Sequence, residues 1–122
     1  MTTKENLEKT FKGETTEVGL YLAMAEKAEE EGHPEIALYL RSIAMNEADH
    51  ACVAAKNLGL IGSTKENLQK MFDGEQKAFK MKSKAADEAQ KEGNLEAVGF
   101  FRWSAGDEKK HAAGLKAFLS KL

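Results

Sequence analysis

The sequence predicts an all-α protein, an antiparallel four-helix bundle made from two copies of one helical hairpin. Three observations carry that prediction. The chain is written twice at an offset of 61 residues, apolar residues recur at helical spacing in both copies, and a single proline with no alternating β-branched runs argues against strands. Thr3 to Glu14 matches Thr64 to Glu75 at nine of twelve positions, and the overlay of 3–61 on 64–122 keeps 20 identities in 59. These include Gly32 with Gly93, Arg41 with Arg102, Glu47 with Glu108 and His50 with His111. Two copies of one unit commonly pack about a two-fold axis, so residues kept in both halves are expected to meet as symmetric pairs.

The first helix is expected over 3–31. Thr2 stands three residues before Glu5, the capping-box spacing that satisfies free N–H groups at a helix start, and Gly32 occupies the place of a left-handed stop. The second, over 34–58, opens on Pro34, whose missing N–H costs nothing in a first turn. The third, over 64–92, repeats the first with Ser63 and Glu66 as its capping box and Gly93 as its stop. The fourth is expected over 95–121.

A chain of 122 residues with 42% hydrophobic content suits one packed core, so a single domain over 1–122 is expected, with internal repeats 3–61 and 64–122. Eighteen basic against twenty acidic side chains give a net charge of −2, which suggests neither a nucleic-acid nor a membrane partner. The opening MTTKENLEKTF has no apolar stretch of signal-peptide length and no long uncharged run follows, so a cytoplasmic location is expected. Cys52 is the lone cysteine, which excludes an internal disulfide or a Cys-based metal cage within these residues; its plain reading is a small buried side chain.

Polar residues interrupt the apolar stripes. Ile36, Leu40, Ile43, Glu47, His50 and Ala54 form one face of the second helix, and Ala97, Phe101, Ser104, Glu108, His111, Leu115 and Phe118 repeat it in the fourth. Leu7, Phe11, Glu14, Val18, Tyr21 and Ala25 share a face of the first helix, as do Leu68, Phe72, Glu75, Phe79 and Ala86 in the third. Each helix therefore carries a carboxylate on its core-facing side. Isolated ionised groups cost several kcal/mol each to desolvate. Basic residues near the stripes, such as Arg41 and Lys82, are too few to balance four of them, whereas two divalent cations are enough. Glu-x-x-His sets a carboxylate and an imidazole one turn apart on one face, where both can bind the same ion. Such donors suit iron or manganese, with zinc as a redox-silent substitute. One Glu-x-x-His is weak evidence. Here two occur in register, each 33 residues after a Gly-Glu, and use two of three histidines. The competing reading is a metal-free bundle with salt-bridged or partly exposed carboxylates. His33, beside Pro34 in a turn, reads as an exposed cap.

The pattern Gly-Glu, Glu-x-x-His, Gly-Glu, Glu-x-x-His, with Ala25-Glu-Lys-Ala28, Glu31-Gly32 and Asn57-Leu-Gly-Leu-Ile-Gly, resembles the rubrerythrin family over essentially the whole chain. That resemblance implies a ferritin-like fold and a non-haem di-iron peroxidase that reduces hydrogen peroxide to water in oxidative-stress defence. By motif match, Glu14 and Glu75 would be terminal carboxylates, Glu47 and Glu108 bridging ones, and His50 and His111 one imidazole for each of two iron ions. Tyr21 falls on the family's first-helix tyrosine, which hydrogen-bonds a ligand carboxylate. Asn46 and Asp107, each just before a ligand Glu, are candidates to orient the histidines or are simply solvated. No CxxC pair occurs, so the resemblance is to the short form without a rubredoxin domain, and electrons are expected from an external donor such as a rubredoxin-like protein. The typical family also has a Glu three residues after the third-helix Gly-Glu, where this chain has Ala78. The repeat mate of Ala78 is Glu17, which is either a displaced seventh ligand serving the ion of Glu75, Glu108 and His111, or a solvated side chain.

Assembly follows from chain length. In the family's arrangement the second and third helices run parallel, and the return from His50 to Glu75 spans about 28 Å of helix. Residues 59–63 offer roughly 20 Å even fully extended. A domain-swapped homodimer, with each centre built from two chains, is therefore expected. Two rival functions stay open: a ferroxidase or oxygen-reducing iron-handling protein, and a metal-free helical interaction module.

Overall fold

The computed structural model describes residues 1–122 and contains four helices and no strands: α1 (Thr3–Glu30), α2 (Pro34–Asn57), α3 (Thr64–Glu92) and α4 (Leu95–Leu119). This all-helical content is that of a ferritin-like four-helix bundle. No helix is long and apolar enough to cross a membrane. The chain divides into two compact units, Met1–Ile61 and Gly62–Leu122, each an α-hairpin: α1 packs on α2 and α3 on α4. Their boundary falls on that of the sequence repeat.

Local chemistry sets the ends. The Glu5 backbone N–H donates to Thr2 Oγ1 at 3.1 Å and the Thr2 N–H donates to Glu5 Oε2 at 3.1 Å. Ser63 and Glu66 repeat this box at 3.2 and 2.9 Å. The second box holds the Glu66 carboxyl below its usual value, first through the Ser63 backbone N–H and then through its hydroxyl. Gly93 ends α3 at φ +74° and Gly32 follows α1 at φ +81°, a region that costs other L-residues strain. The helix bounds match the sequence reading within a residue except in α4, which ends at Leu119 because Ser120 serves as its C-cap.

Each hairpin closes on small side chains. Ala25, Ala28, Ala37, Ala44, Ala51, Ala54 and Ala55 are buried in the first, and Ala86, Ala89, Val98 and Ala105 in the second. Ala25/Ala86, Ala28/Ala89 and Ala44/Ala105 are repeat mates. Methyl-sized contacts let two helices approach closely, which fixes the separation of facing side chains. The larger members of the predicted stripes, among them Phe11, Leu40, Phe72 and Phe101, are only half-buried. Two expectations are corrected. Ile36 and Phe118 are 52% and 63% exposed; beside Ile36 it is Ala37 that packs on Ala25 and Ala28 of the facing helix. Cys52 is exposed, because α2 turns Ala51, Ala54 and Ala55 toward α1 and Cys52 away from it. Arg41 lies away from the carboxylate cluster and donates to Glu29 at 2.7 Å.

That last pair yields a test. The Arg41 hydrogen bond, reinforced by its charge, holds the Glu29 carboxyl below its usual value. A carboxyl lowered by folding contributes stability that is complete above its unfolded value and is lost as pH falls through the lowered one. Arg41→Ala is therefore expected to flatten slightly the acid limb of stability in thermal melts. Arg102→Ala is expected to leave it unchanged, since the repeat mate of Glu29 is Gln90.

Candidate metal centre

Two three-residue groups stand out, one in each hairpin. Glu14 on α1 meets Glu47 and His50 on α2, and Glu75 on α3 meets Glu108 and His111 on α4; in each group one donor atom per residue lies within 4.8 Å of the others. The helical repeat explains the first contact, since Glu47 and His50 lie one turn apart on one face. The alanine seam explains the second by holding α1 close to α2, and α3 close to α4, so that each first helix adds its carboxylate.

In both hairpins the imidazole presents Nδ1. His50 Nδ1 lies 3.6 Å from Glu14 Oε1 and 3.6 Å from Glu47 Oε1. His111 Nδ1 lies 3.5 Å from Glu75 Oε2 and 3.8 Å from Glu108 Oε1. These are too long for hydrogen bonds. They suit donor atoms sharing a first-row ion, which with bonds of about 2.1 Å sit roughly 3–4 Å apart. The four carboxylates are only 15–19% exposed, the histidines 57–58%. Glu14 Oε2 and Glu75 Oε2 are buried without any hydrogen-bond partner. An orphaned carboxylate oxygen is costly, and two at repeat-related positions are groups that a cation would satisfy. Hard oxygen donors with one imidazole per group fit iron or manganese.

A scan of the sequence against family descriptions matches Rubrerythrin over residues 5–119. The chain belongs to the rubrerythrin family. The rubrerythrins are di-iron proteins, and this member has two Glu/His-rich groups that could each hold a metal ion. Among its relatives, an uncharacterized protein of Methanocaldococcus jannaschii is 45% identical over 97% of this chain and 84% of its own length. Reverse rubrerythrin-1 of Clostridium acetobutylicum is 39% identical over 96% of this chain and 66% of its own. A rubrerythrin of Porphyromonas gingivalis is 30% identical over 98% of this chain and 67% of its own.

Several neighbours of these two groups were singled out in the sequence. Glu17, one turn beyond Glu14, is exposed, yet its carboxyl lies against that of Glu47. That hydrogen bond pushes Glu17 above the usual carboxylate value, with smaller contributions from desolvation and from the Glu47 charge. Tyr21 and Asp107 are half-buried and Asn46 is exposed. His33 is the exposed N-cap residue of α2, makes no side-chain cap bond, and belongs to neither group.

One contact escaped the sequence reading. Lys82 Nζ lies 2.7 Å from Ser104 Oγ and 3.5 Å from Glu108 Oε2. Its signal was legible in the repeat: Tyr21 and Ile43 give way together to Lys82 and Ser104.

Proposed function

We propose that this chain is a non-haem di-iron peroxidase that reduces hydrogen peroxide to water with electrons from an external donor such as a rubredoxin-like protein. The observation that carries this reading is the pair of matching Glu–Glu–His groups, each with an orphaned carboxylate oxygen. Glu14, Glu47 and His50 would hold one iron, and Glu75, Glu108 and His111 the other, with manganese or zinc as possible substitutes. When bound, the two ions supply the two electrons that split the O–O bond. The overall balance is one peroxide, two electrons and two protons to two waters, and the donor restores both electrons.

The residues divide the remaining work. The four carboxylates offset the ions' charge, and the Nδ1 atoms orient one imidazole toward each. Glu17, in contact with Glu47, would be a seventh carboxylate in place of Ala78, serving the ion of Glu75, Glu108 and His111. It could also deliver a proton to a departing oxygen. Tyr21, Asn46 and Asp107 would steady the ligands. Glu17→Ala is expected to keep two ions and lower the peroxide rate about tenfold or more. Unchanged metal content together with an unchanged rate would return Glu17 to plain surface.

The reading includes assembly: one ferritin-like domain formed by swapping, in which the N-terminal hairpin of one copy closes on the C-terminal hairpin of another in the cytoplasm. Charge favours pairing an N-terminal hairpin with a C-terminal one, whether from the same chain or from another copy. Residues 1–61 carry six Lys or Arg against eleven Asp or Glu, whereas residues 62–122 carry twelve against nine. Acidic and basic hairpins attract, and like hairpins repel. The decisive experiment loads the protein with iron anaerobically and mixes it in a stopped-flow instrument with peroxide or with oxygen, following absorption by the oxidised centre. Much faster oxidation by peroxide is expected; faster oxidation by oxygen would move the protein to the ferroxidase class.

A further inference from the structure

The repeat makes the two ligand triplets equal, yet their immediate neighbours are not. In the C-terminal hairpin, Glu108 has both oxygens engaged. Oε1 faces His111 Nδ1 at 3.8 Å, and Oε2 faces Lys82 Nζ at 3.5 Å. Lys82 is fixed from behind by the Ser104 hydroxyl at 2.7 Å, across α3 and α4, and its side chain is only 28% exposed. In the N-terminal hairpin the equivalent positions hold Tyr21 and Ile43, which supply neither a cation nor its anchor. There the neighbour of Glu47 is the acidic Glu17. Both changes occur one turn apart on the ligand-bearing face, at positions 17 and 21 of one repeat and 78 and 82 of the other.

A fixed ammonium beside a ligand carboxylate has two consequences. It occupies one carboxylate oxygen that the ion would otherwise claim, and it repels the ion. The repulsion is greater for the trivalent than for the divalent state, so the divalent state is favoured. Partial burial keeps solvent from screening the effect away. We propose that Lys82, anchored by Ser104, is a positioning residue for Glu108. It restrains one carboxylate oxygen and weakens the binding, while easing the reduction, of the ion held by Glu75, Glu108 and His111. This rests on reading the triplets as the di-iron site.

The test uses the full-length protein with Co²⁺ alone as the probe, titrated into the metal-free form and followed by visible absorption. The expected wild-type result is two bound ions. Lys82→Met is expected to tighten one of the two binding steps about tenfold and leave the other within about twofold. On the iron-loaded protein, loss of the same charge is expected to favour the trivalent over the divalent ion about threefold, which potentiometry reads as a fall of about 30 mV in one one-electron step. Lys82→Arg should keep wild-type values, and Ser104→Ala should give an intermediate shift by freeing the ammonium. Should Lys82→Met not fold, Lys82→Tyr installs the side chain that the first repeat carries at this place and reads the same change. A wild type that binds two Co²⁺ while Lys82→Met or Lys82→Tyr leaves both steps and both potentials unchanged overturns the role of Lys82. A wild type that binds none overturns the metal reading itself.

Discussion

Anaerobic addition of iron(II) to the metal-free protein is expected to raise its melting temperature steeply, and Glu75→Ala is expected to move the metal-free and loaded forms in opposite directions. Free metal at a thousand times the dissociation constant stabilises a folded chain by about 4 kcal/mol per site, hence about 8 kcal/mol for two. For a domain of this size that is on the order of 20 °C or more. The metal-free protein, by contrast, keeps Glu75 Oε2 buried with no hydrogen-bond partner. Removing an orphaned buried acceptor recovers about 1–3 kcal/mol. Glu75→Ala should therefore melt several degrees higher than wild type without metal, yet lose at least half of the rise on loading. Glu14→Ala should show the effect at least as clearly, because its Oε2 has no hydrogen-bond partner and it is Oε1 that faces His50, whereas Glu75 Oε2 lies 3.5 Å from His111 Nδ1. Calorimetry of four samples, wild type and variant with and without iron, decides the matter. Should both variants destabilise the metal-free protein, the carboxylates have a structural role that a cation site does not require.

That contrast also explains why the candidate site was easy to read in the sequence. A carboxylate on a core-facing stripe violates the helical pattern, and four violations in register with two histidines leave few readings. The capping boxes at Thr2 and Ser63 and the stop at Gly93 were legible for a related reason: each is a contact between residues a few positions apart, fixed by backbone geometry alone. Side chains that depend on a facing helix were less legible. Periodicity places Ile36 and Phe118 on the ligand-bearing stripe but cannot say which part of that stripe the neighbouring helix covers. Cys52 was misread because composition assigns cysteine to the interior, whereas α2 turns it outward. Lys82 and Arg41 looked equivalent as basic residues near a stripe. Only the fold separates Arg41, which is paired with Glu29, from Lys82, which is paired with Ser104 and Glu108.

The proposed assembly leads to an expected result with no counterpart in an unswapped chain. One variant carries Glu14→Ala, Glu47→Ala and His50→Ala; a second carries Glu75→Ala, Glu108→Ala and His111→Ala. In a swapped homodimer of either variant every centre has lost one triplet, so both should be inactive and neither should retain its full complement of iron. Co-refolding the two in equal amounts changes the outcome. In a mixed dimer the intact N-terminal hairpin of the second variant closes on the intact C-terminal hairpin of the first, which rebuilds one complete centre beside one that lacks all six ligands. Random pairing makes about half of the dimers mixed, each with one good centre in two, so about a quarter of wild-type peroxide activity should return. The acidic and basic character of the two hairpins bears equally on all these pairings, because each mixed or pure dimer still joins one of each kind. The same mixture should sediment at twice the 13.4 kDa chain mass. No recovery in a mixture that sediments as a dimer would mean that each centre is closed within one chain. The short connector at 59–63 would then have to take a path other than the return between parallel helices, since roughly 20 Å of extended chain cannot span about 28 Å.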